Sequence, residues 1–354
     1  MSGRAYLDWN ATAPLRPEAR AAMADAFDVV GNPSSVHAEG RRAKAVVDRA
    51  RDAVATLVGC RPGEVIFTSG ATEGAGILSH LGAEGGVVVD ETAHDCLWAH
   101  AGPAGGDGAT LAMGLANSET GALTEPPAAE GGGWRAGGGT AARLFLDVVQ
   151  AVGRVPFAFA WSGADYAILS AHKIGGPKGV GAVIVRQGLD IPLLARGGGQ
   201  EMGRRSGTEN VAGIAGFGAA AEAALAELEA GVWARVAGMR DELEQRLTTE
   251  APGTIFVGRD EPRIPNTTCF ATPGWKGETQ VMQMDLAGFA VSAGSACSSG
   301  KVKTSRVLKA HGLDDTAAAS AIRVSLGPTT REEEVRRFAD AWLAAHEKFR
   351  RKAA

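Results

Sequence analysis

The sequence predicts an α/β protein: a large domain built on a mostly parallel sheet, with a smaller α+β domain on its C-terminal side. Three observations carry that expectation. At 354 residues the chain exceeds the usual size of one domain. Over most of its length, helical periodicity alternates with short apolar runs bounded by glycine or polar residues, as strands buried on both faces require. Near residue 248 this pattern gives way to short strands, a helix, a glycine- and serine-rich loop and a last long helix.

In chain order, "PEARAAMADAF" and "GRRAKAVVDRARDAVATLVG" are amphipathic helices, the second closed by Gly59 as its C-cap. The segments "EVIFTSG", "GGVVVD", "ARLFLDVV", "YAILSAH" and "GVGAVIVR" read as the buried strands. "AAEGGGWRAGGGTAAR", residues 128–143, is a low-complexity tract, expected as a surface loop or a weak helix on one face of the sheet. Two long helices follow, "NVAGIAGFGAAAEAALAELEAG" and "RVAGMRDELEQRL". The small domain takes "TIFVG", "NTTCFATP", a helix at "ETQVMQMDLAG", "AIRVSLG" and the helix "TREEEVRRFADAWLAAHEKF". The expected division is residues 16–247 for the large domain and 248–354 for the small one, with residues 1–15 packing beside the latter.

With 45% hydrophobic and 21% charged residues and a net charge of −4, the composition gives no support for nucleic-acid binding or an acidic membrane surface. The N-terminus has no signal-like apolar core, and the apolar run Val211–Ala221 stops at Glu222, too short for a bilayer. A cytoplasmic protein is expected. Cys60, Cys96, Cys269 and Cys297 are widely spaced without a CxxC, which argues against a zinc site and against a disulfide scaffold.

"SAHKIGGPKGVG", residues 170–181, puts Lys173 beside His172 in a glycine-rich turn after a strand, yet lacks the pattern of a nucleotide phosphate loop. By frequency alone such a lysine is a solvated turn residue. Upstream, "FTSGATEG" runs a strand into a helix whose first N–H groups, with the Thr72 hydroxyl, offer an anion site. His94, Asn117, Asp147 and Gln150 each follow a strand or an apolar stretch. Ligands of open α/β sheets bind outside the carboxyl ends of strands, so these polar groups can converge on one pocket.

The ordered set "YLDWNATA", "GNPSSVHAEGR", "FTSGATE", "NSETG", "DVVQAVG", "SAHKIGGPKGVG", "RRSGTEN", "GSACSSG" and "IRVSLG" resembles the cysteine desulfurases of the NifS/IscS type over nearly the whole chain. The resemblance implies the aspartate-aminotransferase-like fold of pyridoxal phosphate enzymes, with a mostly parallel seven-stranded sheet between helices, and a homodimer with its site at the subunit interface. It implies that Lys173 holds pyridoxal 5'-phosphate as a Schiff base and then moves the substrate Cα proton, that Asp147 faces the pyridine nitrogen, and that Gln150 hydrogen-bonds the ring hydroxyl. His94 would stack on the ring. The phosphate would be held by the Ala71 N–H, Thr72, Ser170 and His172, with Thr208 reaching in from a partner subunit. Arg323 would grip the substrate carboxylate, supported by Asn117. Without the motif context, His94 and Arg323 would each read as structural residues and Asp147 as a turn cap.

Cys297, in "GSACSSG", is the nucleophile that the resemblance implies: it would take sulfur from L-cysteine as a persulfide, release alanine and deliver the sulfur to an acceptor protein for iron–sulfur cluster or other thio-cofactor assembly. The downstream Lys301, Lys303 and Arg306 favour its thiolate. The long segment "GSACSSGKVKTSRVLKAHGL" is similar to the group whose loop carries sulfur outward, and mobility is expected over residues 295–304. Cys60, Cys96 and Cys269, near apolar neighbours, fit small buried hydrophobes. Two departures stand out: Gly74-Ala75-Gly76 where the family often has polar residues, and Ala93 where it usually has glutamate before the histidine. The alternatives are a selenocysteine lyase, another lyase or aminotransferase of the same fold, and a cofactor-free scaffold.

Overall fold

The computed structural model of the protein describes residues 3–103, 108–130, 132–136, 139–192, 194–294 and 305–353. Cys297 and the rest of 295–304 lie outside the described residues. The chain divides into two compact units: residues 13–116 with 124–229, and residues 1–12 with 117–123 and 230–354.

The larger unit is organised by a sheet of β1 (Val65–Thr68), β2 (Val87–Val89), β3 (Thr110–Gly114), β4 (Arg143–Asp147), β5 (Tyr166–Ser170) and β6 (Gly181–Val185), in the spatial order β1-β6-β5-β4-β3-β2. The pairs β2–β3, β3–β4 and β4–β5 are parallel, and β6 alone runs against its neighbours β5 and β1. Among the described residues this sheet has six strands, against the seven that the resemblance implies. After β6 the chain turns at Gln187–Leu189 and meets Pro192, which has no N–H to give a ladder. Strand β3 was not legible in the sequence: "TLAMG" is poor in β-branched and aromatic residues, and its burial between β2 and β4 makes up for that.

Alternation along the strands divides the interior into two apolar layers. Val65 and Phe67, Leu144 and Leu146, and Ala167 and Leu169 share one core with helices α1 (Pro17–Phe27), α2 (Ala38–Val58) and α6 (Val211–Glu229). Ile66, Phe145, Ile168 and Val183 share the other with α3 (Ala71–Ala75), α4 (Leu78–Gly85) and α5 (Asp95–Trp98). Helix α2 ends as expected, with Gly59 in the left-handed region at φ +63°. By length and composition α6 is apolar enough to cross a bilayer. Here it is a core helix, burying Ile214, Phe217, Ala220, Ala221 and Ala224. The glycine-rich tract is neither loop nor helix alone: Ala129–Glu130, Gly133–Ala136 and Gly139–Ala141 pair as a small antiparallel ribbon. Cross-strand ladder bonds satisfy its backbone where side chains give little to bury.

The smaller unit holds an antiparallel sheet of β7 (Ile255–Val257), β8 (Thr267–Ala271), β9 (Ser292–Ala293) and β10 (Ala321–Ser325), ordered β7-β8-β10-β9. Strand Ala5–Tyr6 pairs in parallel with Phe289–Ala290. Helices α7 (Val232–Glu250), α8 (Gly277–Leu286) and α11 (Glu332–Ala353), with the short turns α9 (Arg306–Ala310) and α10 (Asp315–Ala318), complete it. Trp342 is fully buried, edge-on to Phe270, and its indole N–H donates to Gln280 Oε1 at 3.0 Å.

This division departs from the expected boundary at 247 in two ways. Helix α7 belongs with the smaller unit, because Gly231 at φ +69° separates it from α6 and its Glu244 and Arg240 bind Arg263 and the Ile264 carbonyl. Residues 117–123 join that unit as well: Leu123 N–H donates to the Pro262 carbonyl and Ile264 N–H to the Gly121 carbonyl, both at 2.8 Å.

Candidate active site

In the larger unit the expected cofactor residues other than Thr208 sit where strands end or in the turns just after them. Thr68 closes β1, Ser69 and Gly70 turn the chain, and α3 starts at Ala71, presenting the N–H groups of Ala71 and Thr72. No atom lies within 4 Å of the place a Gly70 side chain would occupy, so the backbone there is open to a ligand. Ser170 closes β5 and is largely buried; His172 and Lys173 follow in the 3-10 turn Ala171–Lys173. Asp147 closes β4, and His94 stands as the N-cap of α5 beyond β2, its Nδ1 accepting from the Cys96 N–H at 3.1 Å. Four chain segments thus deliver polar groups to one edge of the sheet, as expected for an open α/β ligand site.

The electrostatics centre on Asp147. Its carboxylate, 8% exposed, accepts from the Val149 N–H at 2.9 Å and makes no ion pair among the described residues. Burial pushes its pKa up, opposed by the charges of His94 and Lys173 and by the Val149 N–H. A buried carboxylate with so little compensation calls for a cationic partner, and a protonated pyridine nitrogen supplies one. Ligand atoms of His94, Cys96 and Asp147 lie within 4.8 Å of one another. Cys96 therefore differs from the expectation of a simple buried hydrophobe. One side of it packs on the core and the other faces this polar cluster, because the α5 turn starts at His94 and carries residue 96 back toward β4.

Sequence reasoning missed Arg154. Its guanidinium, 4% exposed, donates to the Gln150 side-chain and main-chain oxygens and to the Lys173 carbonyl at 3.3 Å, tying two expected cofactor residues to one cation. The spacing of four between Gln150 and Arg154 in "QAVGR" was the available signal. His172 has its pKa pushed down to about 4, by burial first and then by Lys173 and Lys178, so its imidazole is neutral at physiological pH. Thr208 is exposed. The loop leading to it is held to α3 by the Arg205–Glu73 ion pair at 3.0 Å, and Glu73 also caps the Ser69 N–H at 2.6 Å.

The departures from the family pattern have local causes. A Cβ on Gly74 would lie 2.8 Å from Ile168 Cγ2 and 3.4 Å from Val183 Cβ, so α3 lies directly on the sheet at that point. Ala93 is 2% exposed within the apolar layer beside β2, and its substitution leaves His94 at the helix start.

In the smaller unit, Arg323 lies on β10, 6% exposed, with one terminal nitrogen donating to Asp8 Oδ1 at 2.7 Å and the other to the Ser118 carbonyl at 2.9 Å. Asn117 Oδ1 accepts from the Glu119 and Thr120 N–H groups at 2.8 and 2.9 Å, which folds "NSETG" into a tight turn. The described residues on either side of 295–304 are hydrogen-bonded: the Gly294 N–H donates to the Ala321 carbonyl at 3.0 Å, and Ser305, N-cap of α9, donates to Glu119 Oε2 at 2.6 Å. Burial pushes the thiols of Cys60, Cys96 and Cys269 up to about 12, so none of these three is a ready nucleophile at neutral pH.

Comparison with known proteins follows the same lines. The family pattern of class-V aminotransferases matches residues 5–106 and 107–338. A cysteine desulfurase of Cereibacter sphaeroides is 38% identical over 370 residues, covering 95% of this chain and 94% of that protein. An IscS-like cysteine desulfurase of Mycobacterium tuberculosis is 34% identical over 371 residues, covering 94% and 93%. Among solved structures, a NifS-like protein from Rickettsia africae superposes with a TM-score of 0.85 at 27% identity, over 97% of this chain and 99% of the other.

Proposed function

The chain belongs to the class-V aminotransferase family, and from that premise we propose that it is a pyridoxal-phosphate-dependent cysteine desulfurase which converts L-cysteine to L-alanine and holds the sulfur on Cys297 as a persulfide. The observation that carries the reading is the cluster around Asp147: a buried carboxylate short of a counter-charge, with His94 beside it and Lys173 within its electrostatic reach, at the carboxyl edge of the sheet.

When bound, pyridoxal phosphate supplies the electron sink for charge that develops at the substrate α-carbon. Lys173 would hold it through Nζ and later carry the Cα proton. Asp147 would keep the pyridine nitrogen protonated, Gln150 would face the ring hydroxyl and His94 the ring face. The N–H of Ala71, the hydroxyls of Thr72 and Ser170 and the neutral imidazole of His172 form a donor set suited to a phosphate. Arg323 would bind the substrate carboxylate, supported by Asn117, whose side-chain oxygen holds its own turn. The substrate C–S bond breaks and a bond from that sulfur to Cys297 Sγ forms, while the carbon left behind gains a proton and leaves as alanine. The raised pKa of the other three cysteines, which keeps their thiols protonated at neutral pH, supports Cys297 as acceptor. The enzyme would work as a cytoplasmic homodimer, with Thr208 serving the partner subunit, and pass its sulfur to an acceptor protein for iron–sulfur cluster or other thio-cofactor assembly. The exposed apolar side chains of Phe27, Val30 and Val36 favour such an association.

The test is L-cysteine turnover by wild type and Cys297→Ser, with mass spectrometry of the peptide containing residue 297. Wild type should release alanine and carry one added sulfur there, and the variant should do neither. Alanine formed by both proteins without that adduct would overturn the reading.

A further inference from the structure

Asp8 is absorbed by none of the roles above, yet it is the residue most firmly engaged with Arg323. Its Oδ1 accepts from an Arg323 terminal nitrogen at 2.7 Å, with the two side chains 16% and 8% exposed, and its Oδ2 accepts from the Ser292 hydroxyl at 2.9 Å. The backbone holds it there independently. Asp8 bridges Ser325 in parallel, the Ser325 N–H donates to the Leu7 carbonyl at 2.9 Å, and the Asn10 N–H donates to Ser325 Oγ at 3.0 Å. The next ring, Trp9, lies flat against Gly327, where a β-carbon would collide with it. So the N-terminal segment is registered to β10 two residues from Arg323.

The consequence is a division of the guanidinium. The Ser118 carbonyl takes a hydrogen bond from one terminal nitrogen and Asp8 from the other, whereas Nε is buried and has no partner among the described residues. A buried N–H without an acceptor is unfavourable, and a carboxylate approaching side-on satisfies it together with a neighbouring terminal N–H. We propose that Asp8 is a positioning residue which fixes the Arg323 plane so that the Nε edge receives the substrate carboxylate, setting how an α-amino acid is oriented. The proposal rests on the reading of Arg323 as the carboxylate-binding residue. Asp8 also serves as the counter-ion of a buried cation before substrate arrives, anchored through Ser292 so that it cannot swing toward the Nε edge.

The experiment measures binding of L-alanine and of L-alaninamide, which lacks the carboxylate, to the cofactor-loaded enzyme by the change in its absorbance. Wild type, Asp8→Ala, Asp8→Asn and Arg323→Lys are compared, with a KM and kcat for L-cysteine for each. Positioning predicts that Asp8→Ala weakens alanine about tenfold or more, leaves alaninamide within about twofold and raises KM more than it lowers kcat, with Asp8→Asn in between because it keeps an acceptor but not the charge. Equal weakening of both ligands in both Asp8 variants would mean that Asp8 only stabilises the fold, and would overturn the proposal. Unchanged alanine binding in both Asp8 variants, beside a loss in Arg323→Lys, would overturn it while leaving the role of Arg323 intact. If Arg323→Lys itself keeps the preference for alanine over alaninamide, the reading of Arg323 falls and the proposal with it.

Discussion

Placing alanine at Gly74 tests how α3, the helix proposed to hold the phosphate, is seated. The added methyl would lie 2.8 Å from Ile168 Cγ2, inside normal contact, and 3.4 Å from Val183 Cβ. Ile168 is fully buried on β5, and a β-branched side chain has little χ1 freedom with which to yield. Overpacking of this kind costs about 1–3 kcal/mol, and the branch methyl of a stiff residue puts Gly74→Ala toward the upper end. Against this, alanine gains at most about 1 kcal/mol over glycine in a helix, less in one as short as α3. The net expectation is a loss of about 1–2 kcal/mol, or roughly five- to thirtyfold in the folding equilibrium. Urea unfolding of the cofactor-free protein, followed by tryptophan fluorescence, reads that loss. Ile168→Leu moves the branch from Cβ to Cγ and opens the contested space, so Gly74→Ala should cost less in its presence, with a coupling of about 1 kcal/mol. A shifted α3 also displaces the Ala71 and Thr72 N–H groups, so titration with pyridoxal phosphate should show weaker binding for Gly74→Ala alone. A Gly74→Ala protein as stable as wild type, or a purely additive double variant, would refute the seating of α3 on Ile168.

Glu201 is 5% exposed, accepts two bonds from Arg51 at 2.9 Å and one from the Phe67 N–H at 2.9 Å; Glu201→Ala should destabilise by about 3–5 kcal/mol, because Arg51 and a β1 amide lose their acceptor together. Chemical denaturation checks it, and a change under 1 kcal/mol would contradict the assignment. With its folded-state pKa at about 4, below the ordinary 6.5, His172 binds fewer protons in the folded chain than in the unfolded one. Its contribution to stability is therefore present above pH 6.5 and lost as the pH falls toward 4, and His172→Gln should flatten the stability profile across that window. Trp342→Phe should cost about 1–3 kcal/mol by depriving Gln280 Oε1 of its donor, even though the ring contact with Phe270 survives; a thermal melt of the two proteins decides it. Asp147→Asn should retain the fold but bind pyridoxal phosphate with a deprotonated ring nitrogen, seen as a changed absorbance spectrum and a loss of alanine formation of about a hundredfold or more.

Much of the fold was legible because its signals are local. Helices α1, α2, α6 and α7 follow from apolar periodicity, with Gly59 ending α2, and β1, β2, β4, β5 and β6 from apolar runs too short for helices. Strand β3 was not legible, since alanine, methionine and glycine carry little strand preference and only the pairing with β2 and β4 makes "TLAMG" extended. The glycine-rich ribbon is similar: each of its three short strands is stable only through its neighbour.

By itself the sequence determined the family, and it picked out Lys173, Asp147, His94, Arg323 and Cys297 as the residues proposed to carry its chemistry, because motif residues are conveyed by type and spacing alone. Tertiary structure decided which charges meet. Arg154 beneath Lys173, Asp8 on Arg323, Cys96 beside Asp147 and Glu201 beneath β1 join residues that no local rule connects, some separated by more than a hundred positions. It also assigned α7 and residues 117–123 to the smaller unit. The physical reason is common to all of these: helix and strand patterns arise from neighbours along the chain, whereas the cost of burying a charge or a polar group is settled only by whatever the finished fold brings within hydrogen-bonding distance.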